Sequence, residues 1–126
     1  MSTKIGEEAA KALKNKYKFH RQNTSVYKDE FGDWCMILYS SIIAKNGPYG
    51  IEFNFKGWVT QTTVDRVQAI TNLPFNRRKG VLYFRDVKLD SYTWYRYDDF
   101  METIEKLRKE QENDNTNASK NTSMAS

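Results

Sequence analysis

An α+β domain with a mainly antiparallel sheet of about five strands is what the sequence predicts. Apolar residues recur at four-residue spacing near both ends of the chain. In the middle they alternate with polar residues or run unbroken, and glycine- or proline-containing turns separate those runs. The predicted order is α-β-β-β-α-β-β-α, with N-terminal, central and C-terminal helices in one domain over residues 1–112 and a disordered tail at 113–126.

The first helix is predicted over 4–18, where Ile5, Ala9, Leu13 and Tyr17 form an apolar stripe and Lys11, Lys14 and Lys18 gather on another face. Thr24 to Tyr27 reads as a short strand that ends at a polar turn over 28–33. Residues 34–44 are apolar on both alternating faces and are predicted to be the most buried strand. The Asn46-Gly47-Pro48 turn then leads to Ile51, Phe53 and Phe55 alternating with Glu52, Asn54 and Lys56, a half-buried hairpin partner.

The segment GWVTQTTVDR, residues 57–66, reads as a strand end running into a capped helix. Gly57 closes the strand and Trp58 and Val59 lead inward. Thr62 with Asp65 forms a capping box in which Asp stands in the usual Glu position, with Thr60 as the alternative cap. Pro74 limits this helix to about three turns. Residues 76–80 follow as a basic turn, and 81–88 with 92–97 as a second strand pair. Asp98 is the predicted cap of a last helix with the stripe Phe100, Ile104 and Leu107. Beyond Glu112 the Asn/Thr/Ser/Ala-rich string has almost no apolar surface to offset ordering entropy.

Composition narrows the function classes. The 126 residues carry a formal charge of +4, and positive charge is concentrated at the front, where residues 1–25 hold six Lys/Arg against two Glu. Such a balance favours association with polyanions. Cys35 is the single cysteine, so an intramolecular disulfide and a cysteine-rich metal site are excluded and a reducing compartment is expected. With no long apolar run and no secretory pattern at the front, the expectation is a cytoplasmic protein with no membrane partner.

Catalytic chemistry is poorly represented. His20 is the only histidine and sits in the basic segment 18–21, which suits a surface residue better than a general base. Phosphate-binding glycine loops, zinc spacings and calcium loops are missing, and Asp86, Asp90, Asp98 and Asp99 read as turn and cap residues rather than metal ligands. Cys35 reads as a small core residue. The expectation is a non-enzymatic protein that needs no cofactor and no metal.

Two features suit binding. Arg77, Arg78 and Lys79, within reach of Arg85 or Lys88 across a hairpin, are candidate phosphate contacts, and Tyr92, Trp94, Tyr95 and Tyr97 are candidate stacking rings, with one alternating face of that strand going to the core. Lys11, Lys14 and Lys18 are the other concentrated positive surface.

The order Asn23-Thr24-Ser25-Val26, the strand through Leu38 to Ile43, Gly57-Trp58-Val59-Thr60-Gln61-Thr62-Thr63 with Arg66, then Val81 to Phe84 and Trp94-Tyr95 resembles a family of small uncharacterised proteins of phages and mobile elements. The resemblance spans roughly residues 23–97 and implies a phage-like origin and a compact β-rich domain, with no activity attached. The N-terminal helix, the helix over 98–112 and the wider gap between Val81 and Trp94 depart from the pattern. Two readings of the whole stand side by side: a small accessory protein that associates with DNA or RNA through Arg77, Arg78, Lys79, Lys11, Lys14 and Lys18, or a module that binds a host or phage protein or forms part of the virion.

Overall fold

A side-chain hydroxyl starts the chain's first helix. In the computed structural model, which describes the backbone of residues 3–125 and the side chains of 3–113, Thr3 Oγ1 accepts from the N–H of Gly6 at 3.1 Å at the head of α1 (Lys4–Asn15). Gly6, Ala9, Ala10, Ala12 and Leu13 form its buried face, and these small residues let α1 pack closely on the central helix. The helix stops at Asn15, short of the predicted end at residue 18. Lys16 adopts a left-handed conformation (φ 59°), and the Asn46 side chain donates to the carbonyl of Leu13 at 3.0 Å, occupying a group the helix end leaves open.

The chain then winds as an antiparallel meander of β1 (Phe19–Arg21), β2 (Thr24–Lys28), β3 (Trp34–Leu38), β4 (Ser41–Gly47) and β5 (Gly50–Phe53), with the late strand β9 (Tyr95–Arg96) added at the edge beside β5. Residues 34–44 are therefore a hairpin and not one strand. Leu38 pairs with Ser41 across a two-residue turn, and Tyr39 takes a left-handed backbone (φ 57°) that breaks the apolar run where sequence alternation shows no break. The predicted turn at Asn46-Gly47-Pro48 and its hairpin are present, with Gly47 pairing with Gly50.

After α2 (Gln61–Thr71) comes a second, three-stranded sheet of β6 (Phe75–Arg78), β7 (Val81–Phe84) and β8 (Val87–Lys88), followed by α3 (Phe100–Ala125). The predicted pairing of 81–88 with 92–97 is replaced. A turn at Arg85, again left-handed (φ 56°), folds 81–88 back on itself, so Phe84 pairs with Val87, while Tyr95 is drawn to β5 opposite Phe53. The Tyr95 hydroxyl closes the intervening loop by donating to the carbonyl of Asp90 at 3.0 Å and accepting from its N–H at 3.1 Å.

The fold class is thus the predicted one, α+β with antiparallel sheets, although nine strands form two sheets among the described residues. An aromatic cluster joins the sheets. Phe53, Phe55, Phe75, Phe84, Tyr95 and Phe100 meet in edge-on and tilted pairs with ring centroids 5.2–6.4 Å apart. Phe100 and Ile104 sink the start of α3 into this core, and Gln111 clasps the exposed edge of β8, donating to the carbonyl of Lys88 at 2.8 Å and accepting from its N–H at 3.2 Å. The helix runs past the Glu112 boundary that composition suggests. The expected disordered tail at 113–126 lies, from residue 114 onward, outside the described side chains.

Candidate functional site

The basic residues singled out in the sequence sit at the tip of the small sheet. Lys79 (φ 52°) and Gly80 (φ 77°) make the two-residue turn between β6 and β7, a geometry in which both central residues have positive φ and the strands keep their natural twist. Phe75 is buried against the aromatic core, while Arg77, Arg78 and Lys79 are all exposed. None of the three joins an ion pair among the described residues, whose ion pairs are Arg21 with Glu8, Arg66 with Asp65 and Arg108 with Asp86.

Strand register brings an aromatic ring beside them and fixes the place of Lys88. Asn76, Tyr83 and Lys88 are opposite one another across β6, β7 and β8, and therefore share the face of the sheet turned from Phe75 and Phe84. The Arg78 guanidinium lies over the Tyr83 ring, 4.1 Å from its centroid, which fixes an otherwise flexible cation in place. Beside this face opens a shallow groove of about 890 Å³, bordered among others by Gly80, Tyr83, Lys88, Asp90, Tyr92 and Gln111; Arg77, Arg78 and Lys79 stand at the adjoining tip and do not line it. Tyr92 is 74% exposed. Its ring packs against the backbone of Gly57, where an added Cβ would come within 2.5 Å of it.

The other predicted site residues lie elsewhere. Lys11 and Lys14 are exposed on α1, which packs against α2 and strands β1 to β4, and Lys18 lies beyond the end of that helix; none of them borders the groove. Of the predicted stacking rings only Tyr92 reaches the groove. Tyr95 is core, and Trp94 is half-buried beneath two ammonium groups, Lys56 at 5.0 Å and Lys45 at 5.7 Å from its ring centroid. Tyr83, missed by the sequence reading, has its signal in β7, where intermediate Val81 and Tyr83 alternate with buried Leu82 and Phe84.

The segment at 57–66 departs from expectation in an informative way. Thr60, not Thr62, caps α2, its Oγ1 accepting from the N–H of Thr63 at 3.2 Å. Asp65 leaves its own helix start and accepts from Thr3, from the N–H at 2.7 Å and the hydroxyl at 2.8 Å. Arg66 pairs with Asp65 and donates to Thr24 Oγ1 through Nε and to Thr3 Oγ1 through Nη1, both at 3.0 Å, with Asn23 Oδ1 at 3.5 Å from Nη2. The Asn23-Thr24 and Arg66 pieces of the sequence pattern therefore meet as one buried network that ties α1, α2 and the β1–β2 turn together.

Trp58 does not lead inward; it is 59% exposed. Lys56 (φ 55°) and Gly57 (φ 74°) turn the backbone just before it, and its N–H closes on the carbonyl of Phe55 at 2.9 Å, so the indole leaves the surface. It borders a second pocket, of about 450 Å³, with Leu38, Tyr39, Ser40, Thr62 and others.

The polar groups that catalysis would draw on are engaged differently. His20 is exposed and its Nδ1 lies 2.7 Å from Ser25 Oγ on the neighbouring strand. Cys35 is fully buried, and burial together with the nearby Asp29 carboxylate pushes its thiol up to about 11. Asp29 itself serves the 29–33 turn, with Oδ1 accepting from the N–H groups of Phe31 and Asp33, both at 2.9 Å. Asp90 accepts from the N–H of Tyr92 at 2.8 Å, and Asp98 lies against Gly50, so it reaches back to the β4–β5 turn. The described residues contain no cluster of three or more metal-ligating side chains and no helix long and apolar enough to cross a membrane.

A family profile covers this whole frame, from α1 through the first turns of α3: the model of the Kyanoviridae Gp96 protein matches residues 2–117. The chain belongs to that phage protein family. The resemblance to small phage proteins is supported at the level of a phage family. Neither a curated protein nor a solved structure matches the chain.

Proposed function

We propose that this phage protein is a non-enzymatic accessory protein that associates with single-stranded nucleic acid along the face of β6, β7 and β8. The observation that carries the reading is the Arg78–Tyr83 stack, whose ring borders a groove together with Lys88 and Tyr92. Cations without carboxylate partners supply phosphate attraction, and exposed rings supply stacking that tolerates any base. A single strand presents its bases to these rings directly, whereas a duplex keeps them stacked inside.

Lys11, Lys14 and Lys18 take no part in this site. They are at most a remote contribution to the overall positive field. The absence of catalysis in this reading rests on His20, whose one hydrogen-bond partner among the described residues is Ser25, and on the buried, neutral thiol of Cys35.

The test is fluorescence anisotropy of labelled single-stranded DNA and RNA oligonucleotides at low salt. Binding that weakens on Tyr83→Ala and on added salt supports the reading. No binding to any of these strands removes it, and affinity capture of protein partners from infected cells becomes the next experiment.

A further inference from the structure

The pocket beside Trp58 has a different chemistry from the basic groove. Its lining residues are Leu38, Tyr39, Ser40, Ser41, Ile43, Trp58, Thr60, Thr62 and Thr63, and none of them carries a charge. Two aromatic side chains stand out at it, Tyr39 at 69% and Trp58 at 59% exposure, while Leu38, Ile43 and Thr63 supply a buried floor. Both rings are held out by the backbone. Tyr39 sits at positive φ at the tip of the β3–β4 hairpin, and Trp58 follows the two positive-φ residues Lys56 and Gly57.

Five of the nine lining residues carry aliphatic hydroxyls. Those of Thr60 and Thr63 bond each other at 3.1 Å as part of the helix cap, and among the described residues those of Ser40, Ser41 and Thr62 have no protein partner. An apolar side chain of a protein partner would bury these hydroxyls without replacing their water. A nucleotide would bring a phosphate to a lining with no cation. What fits is a ligand with an apolar C–H face to lie on an aromatic ring and a rim of neutral hydroxyls to exchange bonds with Ser and Thr.

The geometry points to a binding site for a neutral saccharide residue, with Trp58 and Tyr39 supplying aromatic walls for its ring face and Ser40, Ser41 and Thr62 bonding its hydroxyls. This site is independent of the proposed nucleic-acid groove, since no residue lines both.

The test is a titration of the full-length ¹⁵N-labelled protein with maltotriose, cellotriose, chitotriose and mannotriose, read on the Trp58 indole N–H and the amides of Tyr39, Ser40 and Thr62. Weak, saturable binding with Kd of about 0.1–10 mM is expected for at least one sugar. Trp58→Ala and Tyr39→Asn should each weaken it at least about tenfold, because each removes a ring; Asn tolerates the left-handed backbone at position 39. Arg77→Ala with Arg78→Ala should leave it unchanged. The assignment is overturned if none of the four sugars moves these signals, if binding survives both ring substitutions, or if uridine and adenosine shift the same signals at lower concentration than the sugars do.

Discussion

Asp65 accepts two hydrogen bonds from Thr3, 62 positions earlier in the chain, at 2.7 Å from its N–H and 2.8 Å from its hydroxyl. One carboxylate thereby anchors the start of α1 while it neutralises the buried Arg66 guanidinium on its own helix. Gly6 is part of the same fit, since a Cβ there would come within 2.5 Å of Asp65 Oδ2.

The first prediction follows from that arrangement. Asp65→Ala leaves Arg66 buried without its counter-charge and should cost about 3–5 kcal/mol in urea unfolding, because breaking one half of a buried pair strands the other. Asp65→Asn keeps hydrogen bonding to Thr3 but loses the charge, so it should fall between wild type and Asp65→Ala. Equal stability of Asp65→Ala and wild type would show that Arg66 finds water when its partner is removed.

The second concerns the 57–66 segment. Thr60→Ala removes the helix cap and should cost about 0.5–2 kcal/mol, whereas Thr62→Ala, at a half-buried position whose hydroxyl caps nothing, should cost less, about 0.5 kcal/mol. Trp58→Ala, at an exposed position, should also stay within about 1 kcal/mol, far below the 3–5 kcal/mol or so of a buried tryptophan. Thermal denaturation of the three variants gives the ranking directly.

That ranking separates what could be read in the sequence from what could not. The helices and the β4–β5 hairpin are legible because local periodicity and turn residues specify them: Ile5 to Leu13, Ile51 to Phe53, Phe100 to Ile104. Tyr39 and Arg85 defeat the strand reading because each is a large residue at positive φ, a conformation that neither propensity nor alternation announces. Asp65 could not be paired from sequence either. It stands at a plausible local cap position, and its choice of Thr3 depends on how closely α1 docks on α2. Of the candidate site, Arg77, Arg78 and Lys79 are visible as a charge run with Lys88 in reach across a hairpin, while Tyr83 joins them only through strand register.

The third prediction is chemical. With its thiol raised to about 11 by burial and by Asp29, Cys35 should be alkylated by iodoacetamide at pH 8 far more slowly than a free cysteine, and should react at the ordinary rate once the protein is unfolded in urea. The same shift has a stability consequence. An unfolded thiol ionises near its ordinary value of 9.0 while the folded one stays neutral up to about 11, so the unfolded state binds fewer protons in that window. Stability should therefore fall as pH rises from about 9 to 11, and Cys35→Ala should flatten this part of the profile.

A fourth prediction links the turn at Gly57 to the groove. Gly57→Ala sets a methyl group against the Tyr92 ring at a position with φ 74°, so the variant should lose about 1–2 kcal/mol from backbone handedness alone and should also displace Tyr92 from the groove edge. Tyr92→Ala in the Gly57→Ala background should recover the part of the loss that comes from collision and leave the part that comes from φ. A double-mutant cycle by thermal unfolding measures the division.

The last prediction addresses the basic tip. Replacing Arg77, Arg78 and Lys79 together with Ala should lower affinity for single strands of any sequence alike, because phosphate contacts carry no base information. If all three cations contact phosphate, the slope of log K against log salt should become shallower by about two, three contacts at about 0.7 each on a single strand. Stability should change little, since all three side chains are exposed, apart from the stack of Arg78 on Tyr83. Arg78→Lys tests that stack by itself: an ammonium keeps the charge but not the planar group over the ring, so affinity should drop while the salt slope stays near that of wild type. An unchanged affinity in the triple variant would move the contact away from the β6–β7 tip, and a parallel substitution of Lys11, Lys14 and Lys18 would then show whether the front of the chain supplies it.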